Sequence, residues 1–207
     1  MHLSWAGRVV ARAQPSALGA RILVRHATND ALQRLPSDID YYTLLDVQDT
    51  PNHGWTIDLA QLKGQWRKKQ AQLHPDRLVS RPAAEQHLGA EQSALVNKAY
   101  ETLRSPLLRA TYLLQREGID AVEEASSLED PAFLMDVMEL QEALEEADNQ
   151  ETVDQVGVAA SGRMDAVLTG LEHAFAQEPR DLEQVKSLAV QLRYWTNIEK
   201  AVREWQG

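Results

Sequence analysis

From residue 58 to the end of the chain, apolar side chains recur at helical spacing and no stretch alternates with the period of a strand. A chain patterned this way can bury its hydrophobic surface only by packing helices on helices, so the expected fold class is all-α. The helix boundaries are written as cap-and-break signals. Asp58 stands as an N-cap with Gln61 three residues on, and Leu59, Leu62, Trp66 and Leu73 follow at helical spacing. His74-Pro75-Asp76 must end that helix, because a residue before proline is pushed out of the α region.

Upstream, residues 40–47 read as a short helix, followed by a loop marked by Pro51, Asn52 and Gly54. A further helix is expected over residues 82–104, with Leu88, Leu95, Ala99, Tyr100 and Leu103 as its inward stripe. Ser105-Pro106 and Asp130-Pro131 each place a capping residue before a proline at the first helical position, and Gly118 closes the helix between them. Segments near 131–148, 151–177 and 180–205 then predict three long helices with short connections, an antiparallel three-helix bundle.

Charge divides the chain in the same places. Residues 1–37 carry a net +4, with no acid before Asp30; residues 38–110 are neutral; residues 111–207 carry −14. The basic, acid-poor start is expected to be a mitochondrial transit peptide and leader, which points to the matrix. A half at −14 has the wrong sign for a phosphate backbone, so nucleic acid is not an expected partner. No apolar run approaches the roughly 20 residues that cross a bilayer, so no membrane partner is expected, and with no cysteine there are no disulfides or thiolate metal ligands.

The His74-Pro75-Asp76 loop follows a helix bearing Lys63, Arg67, Lys68 and Lys69. Proline stiffens the turn, so its flanking side chains meet a partner with little ordering entropy left to lose, and the basic helix steers toward an acidic surface. An acid–base role for His74 and Asp76 lacks a nucleophile, a phosphate loop or a metal-spaced cluster beside it, so no enzyme activity and no cofactor or metal is expected.

With Asp40-Tyr41-Tyr42 ahead of it and Val96-Asn97-Lys98-Ala99-Tyr100-Glu101-Thr102-Leu103 behind it, this loop resembles that of the J domain of DnaJ-type co-chaperones. Residues 105–114 and 130–140 are further similar to the HscB/Jac family of iron-sulfur cluster biogenesis, in its cysteine-free fungal mitochondrial branch. The resemblance implies an L-shaped protein, with a J domain over 38–117 and a three-helix bundle over 118–207. It implies a co-chaperone in which His74, Pro75, Asp76, Lys63, Arg67, Lys68 and Lys69 engage a DnaK-type mitochondrial heat-shock chaperone and stimulate its ATPase. The client it implies is an IscU-type iron-sulfur scaffold protein.

Rotation about the helix that starts at Pro131 separates two faces. With Leu140 at zero, Phe133, Val137, Leu144 and Ala147 fall within about 60°, while Leu134, Met138 and Met135 fall at about 120°, 160° and 220°. Tyr194 is likewise off the inward stripe of the last helix. Such a second face either packs on a neighbour or stays open as a binding surface. The resemblance assigns Leu134, Met135, Met138, Glu139, Glu142 and Tyr194 to the scaffold. A general J protein for unfolded mitochondrial clients, and a purely structural helical adaptor, are the remaining alternatives.

Overall fold

The structure is a computed structural model that describes residues 32–36, 38–47, 51–120 and 130–206. The basic leader expected over 1–37 lies outside the described residues up to position 31, as do residues 48–50 of the first loop. No strand occurs among the described residues, and no described helix is long and apolar enough to cross a membrane.

The first helix, α1 (Tyr41–Leu44), is capped by the Asp40 carboxylate, which accepts from the Thr43 N–H at 3.1 Å. A 3₁₀ turn (Asn52–Gly54) follows, and then α2 (Leu59–Leu73), where Asp58 Oδ1 accepts from the Ala60 and Gln61 amides at 2.8 and 3.1 Å. Leu59 opens this helix and stays half exposed at 52 %, so the inward stripe starts a turn later than the spacing predicts, at fully buried Leu62. The proline break takes a form the spacing does not predict. His74 ends α2 and at once caps a one-turn helix, α3 (Pro75–Leu78).

The next helix, α4 (Ala83–Arg104), runs back antiparallel to α2. Trp66 donates to Asn97 Oδ1 at 2.8 Å and stacks on Tyr100, while Gln70 donates to the Ser93 carbonyl at 3.0 Å, so rising numbers on one helix meet falling numbers on the other. The helix α5 (Pro106–Arg116) is capped by the Ser105 hydroxyl, and Gly118 ends it in the left-handed region at φ +80°. Three further helices, α6 (Pro131–Glu145), α7 (Gln150–Ala176) and α8 (Leu182–Glu204), complete the chain. Asp130, Asn149 and Asp181 cap them in turn. Gly157 faces Val202 and Gly170 faces Leu188, an antiparallel α7–α8 contact in which the missing methyl groups let the helices close up.

What joins the α1–α4 side to the bundle is a seam that sequence periodicity leaves blank. The middle helix α5 packs on both α4 and α8. Trp55, in the loop after the 3₁₀ turn, is buried and stacks on Phe175 near the end of α7 at 5.1 Å between ring centres. Buried Arg109 of α5 lies over the Trp55 ring, 4.8 Å from its centre, and donates to the Leu103 carbonyl at 2.7 Å. A hydrogen bond between His53 Nε2 and Glu178 at 2.7 Å and an ion pair between Arg180 and Glu117 at 2.9 Å flank the stack.

The Asp40-Tyr41-Tyr42 motif belongs to the same framework. Tyr41 stacks on Tyr112 of α5, whose hydroxyl accepts from the Tyr41 N–H at 3.0 Å and donates to Asp40 at 2.8 Å. Burial pushes the Tyr112 phenol up to about 12, so it remains a donor throughout the physiological range. Tyr42 donates to the Gly54 carbonyl at 2.7 Å, and Gly54 sits at φ +100°, where a Cβ would be strained and would stand 3.0 Å from the Tyr42 hydroxyl.

Candidate functional site

Two exposed surfaces stand apart from the core, and the first is the corner between α2 and α3. His74 Nδ1 accepts from the Asp76 N–H at 3.2 Å, and the His74 carbonyl accepts from the Arg77 N–H at 2.9 Å. Arg77 reaches back to the Ala71 carbonyl of α2 at 3.1 Å. The corner is therefore held by backbone and capping bonds while its functional groups stay out: the Asp76 side chain is 88 % exposed and the His74 ring 58 %. The Asp76 carboxylate stands 3.5 Å from the same Nδ1 that accepts the capping bond.

Of the four basic residues expected beside this corner, Lys63, Arg67 and Lys68 are exposed. Lys69 differs. Its ammonium pairs with Asp46 at 3.0 Å and its side chain is mostly buried, because the chain after α1 turns back through a left-handed residue at Asp46 and meets α2 there. Lys69 thus has a structural partner already, which the charge pattern alone does not reveal.

The second surface lies on α6. Phe133, Val137 and Leu140 are buried as their rotation requires, while Met135 is 71 % and Met138 55 % exposed. The alternative that this face packs on a neighbour does not hold for the methionines. It holds in part for the other two apolar members: Leu134 is half-buried against the core, and Tyr194 packs edge-on against Phe133 at 5.6 Å between centres. Glu139 and Glu142 are exposed.

Behind the methionine face, Asp136 accepts two bonds from Arg163 of α7, one of them Nε to Oδ2 at 2.6 Å, and Arg163 lies over the Trp195 ring at 5.7 Å. The Arg163 hydrogen bonds hold the Asp136 carboxyl below its usual range. Sequence reasoning passes over this pair because the two residues are 27 positions apart and neither belongs to a local pattern.

The comparisons with known proteins agree with this architecture. The family model described as the HSCB C-terminal oligomerisation domain matches residues 129–203, which span α6 to α8. The iron-sulfur cluster co-chaperone protein HscB of Homo sapiens is 31 % identical over 173 residues, 84 % of this chain and 71 % of that protein. The mitochondrial J-type co-chaperone jac1 of Schizosaccharomyces pombe is 35 % identical over 161 residues, 77 % of this chain and 69 % of its own length. The likeness is therefore not confined to fungi.

Among solved structures, the crystal structure of human HscB superposes with a TM-score of 0.75 at 29 % identity, covering 97 % of this chain and 93 % of that one. The all-helical, two-domain fold is that of these co-chaperones. The chain belongs to the HscB/Jac1 family of J-type co-chaperones of iron-sulfur cluster biogenesis.

Proposed function

We propose that this protein binds an IscU-type iron-sulfur scaffold through its bundle and presents it to a DnaK-type heat-shock chaperone, whose ATPase it stimulates. Residues 38–117 act as the J domain and residues 118–207 as the scaffold-binding part. His74, Pro75 and Asp76 dock the chaperone at the rigid corner, and Lys63, Arg67 and Lys68 steer it. Lys69 contributes through its pair with Asp46, by holding α2 in place. The protein itself performs no chemistry. Two sites on one chain raise the local concentration of scaffold at the chaperone, and ATP hydrolysis then commits the chaperone to its client. The basic leader and the mitochondrial name of a relative support action in the matrix.

The observation that carries this reading is one of exposure. His74 and Asp76 remain open at a doubly capped corner, and Met135 and Met138 remain open on a helix whose other face is fully used by the core. Methionine adapts its shape to a partner, and the acids Glu139 and Glu142 beside it suit a basic rim. Two variants separate the roles. His74→Gln should abolish stimulation of the chaperone ATPase and leave scaffold binding intact. Met135→Ser with Met138→Ser should weaken scaffold binding at least tenfold and leave stimulation by the free co-chaperone unchanged. Scaffold binding by the double variant at wild-type affinity would refute the assignment of that face, and unchanged stimulation by His74→Gln would refute that of the corner.

A further inference from the structure

The helix that carries Pro75 and Asp76 is a single turn, and a single turn does not hold its own conformation in water. Its only buried residue is Leu78. Leu78 enters α4 at Gly89, where a methyl group would meet Leu78 Cδ1 at 2.1 Å, so the contact exists only because position 89 lacks a side chain. Gln86 of α4 holds the far end of the turn, donating to the Val79 and Arg81 carbonyls at 3.2 and 2.9 Å.

A second element closes over the same spot. Leu32 Cδ2 lies 3.7 Å from the Cβ position of Gly89, on the surface that Leu78 also occupies, and Leu32 and Leu35 both pack on the core. Buried Gln92, one turn along α4, donates to the Gln33 carbonyl, and Arg34 pairs with Glu91 at 3.8 Å. Residues 32–36 thus lie on α4 through side-chain packing, one part-buried hydrogen bond and one ion pair. The charge pattern assigns them to the removable leader; the structure makes them a part of the folded body.

We infer that residues 32–36 form a strap that walls the Leu78 pocket and so positions His74-Pro75-Asp76 for the chaperone, with Gly89 and Gln92 as positioning residues. This rests on the proposed role of that corner. Without the strap, the Gly89 backbone opens to water and Leu78 loses one side of its pocket, so α3 samples orientations that cannot dock. A leader cleaved from this chain would then have to end ahead of Leu32.

The test uses the full chain with Leu32→Asp and Leu35→Asp together, beside Leu32→Met and Leu35→Met, which keep the apolar wall. Chaperone ATPase is titrated with each co-chaperone, and amide exchange is read at Asp76 and Arg77, whose N–H groups bond to His74. The aspartate variant should raise the half-saturating concentration at least fivefold and speed exchange at both amides at least tenfold. Scaffold affinity and far-UV circular dichroism should stay as in the parent protein, showing an intact bundle, and the methionine variant should behave as the parent. Wild-type half-saturation and exchange in the aspartate variant would overturn the inference. His74→Gln runs alongside: if it leaves stimulation unchanged, the functional reading of the corner fails, while the exchange rates still decide whether the strap holds α3.

Discussion

Replacing Trp55 by alanine tests the seam on which the two halves depend. Trp55 is 6 % exposed, stacked on Phe175 and covered by the Arg109 guanidinium. A buried tryptophan removes roughly 200 Å² from water, about 5 kcal/mol at about 25 cal/mol per Å². Residual burial in the unfolded chain trims this to about 3 to 4 kcal/mol. The ring stack and the cation each add about 1 kcal/mol, while water reaching the unpartnered Arg109 Nε returns some of the loss. The net expectation is about 4 kcal/mol, within the range for large aromatic truncations in cores. For a chain of this size that corresponds to a midpoint lower by roughly 8 to 16 °C.

Urea denaturation followed by far-UV circular dichroism, with intrinsic fluorescence as the second probe, measures both the loss and its character. Because the seam joins α1–α4 to the bundle, the two probes should cease to coincide in the variant. A double-mutant cycle with Phe175→Leu should return a coupling of about 1 kcal/mol. A loss below about 1.5 kcal/mol, with coincident transitions, would refute the claim that this stack ties the halves together.

Three further outcomes follow from the same contacts. Gly54→Ala must place a Cβ at φ +100° and 3.0 Å from the Tyr42 hydroxyl, so thermal melts should show a loss of about 2 kcal/mol, larger than at Gly64, where a Cβ meets nothing. Asp130→Ala removes the acceptor for the Ala132 and Phe133 amides at the start of α6, which should cost about 1 kcal/mol in urea titrations and fray the helix bearing the methionines. Asp136 has a folded carboxyl pKa below its unfolded value, so its stabilisation is present above the unfolded pKa near 4 and is lost as pH falls through the folded one. Melts of Asp136→Asn and the parent protein should differ at pH 7 and converge in acid; a difference independent of pH would exclude the Arg163 pair as its source.

Much of this protein is legible without coordinates, and the reason is local. An N-cap needs only its own side chain and the next two or three amides, so Asp58, Ser105 and Asp130 announce α2, α5 and α6 from the sequence, and the structure shows each accepting the expected bonds. Rotation about one helix axis is equally local. It separates buried Phe133, Val137 and Leu140 from exposed Met135 and Met138 with no knowledge of what packs where. The proline of the His74-Pro75-Asp76 loop sets the end of α2 for the same kind of reason.

What tertiary structure alone decided are the contacts between residues distant along the chain. Trp55 stands in a loop with no periodicity to mark it, and only the approach of α7, some 120 residues later, makes it a core residue. Lys69 belongs by pattern to a basic face, yet the turn at Asp46 gives it a partner. Tyr194 is off the inward stripe of α8 but lies half-buried on Phe133, because a helix in a bundle has two neighbours and rotation about its own axis knows of neither. Residues 32–36 carry the charge of a leader and the contacts of a structural element, since a short segment without secondary structure gains its stability from the α4 surface it lies on and leaves no periodic trace of its own.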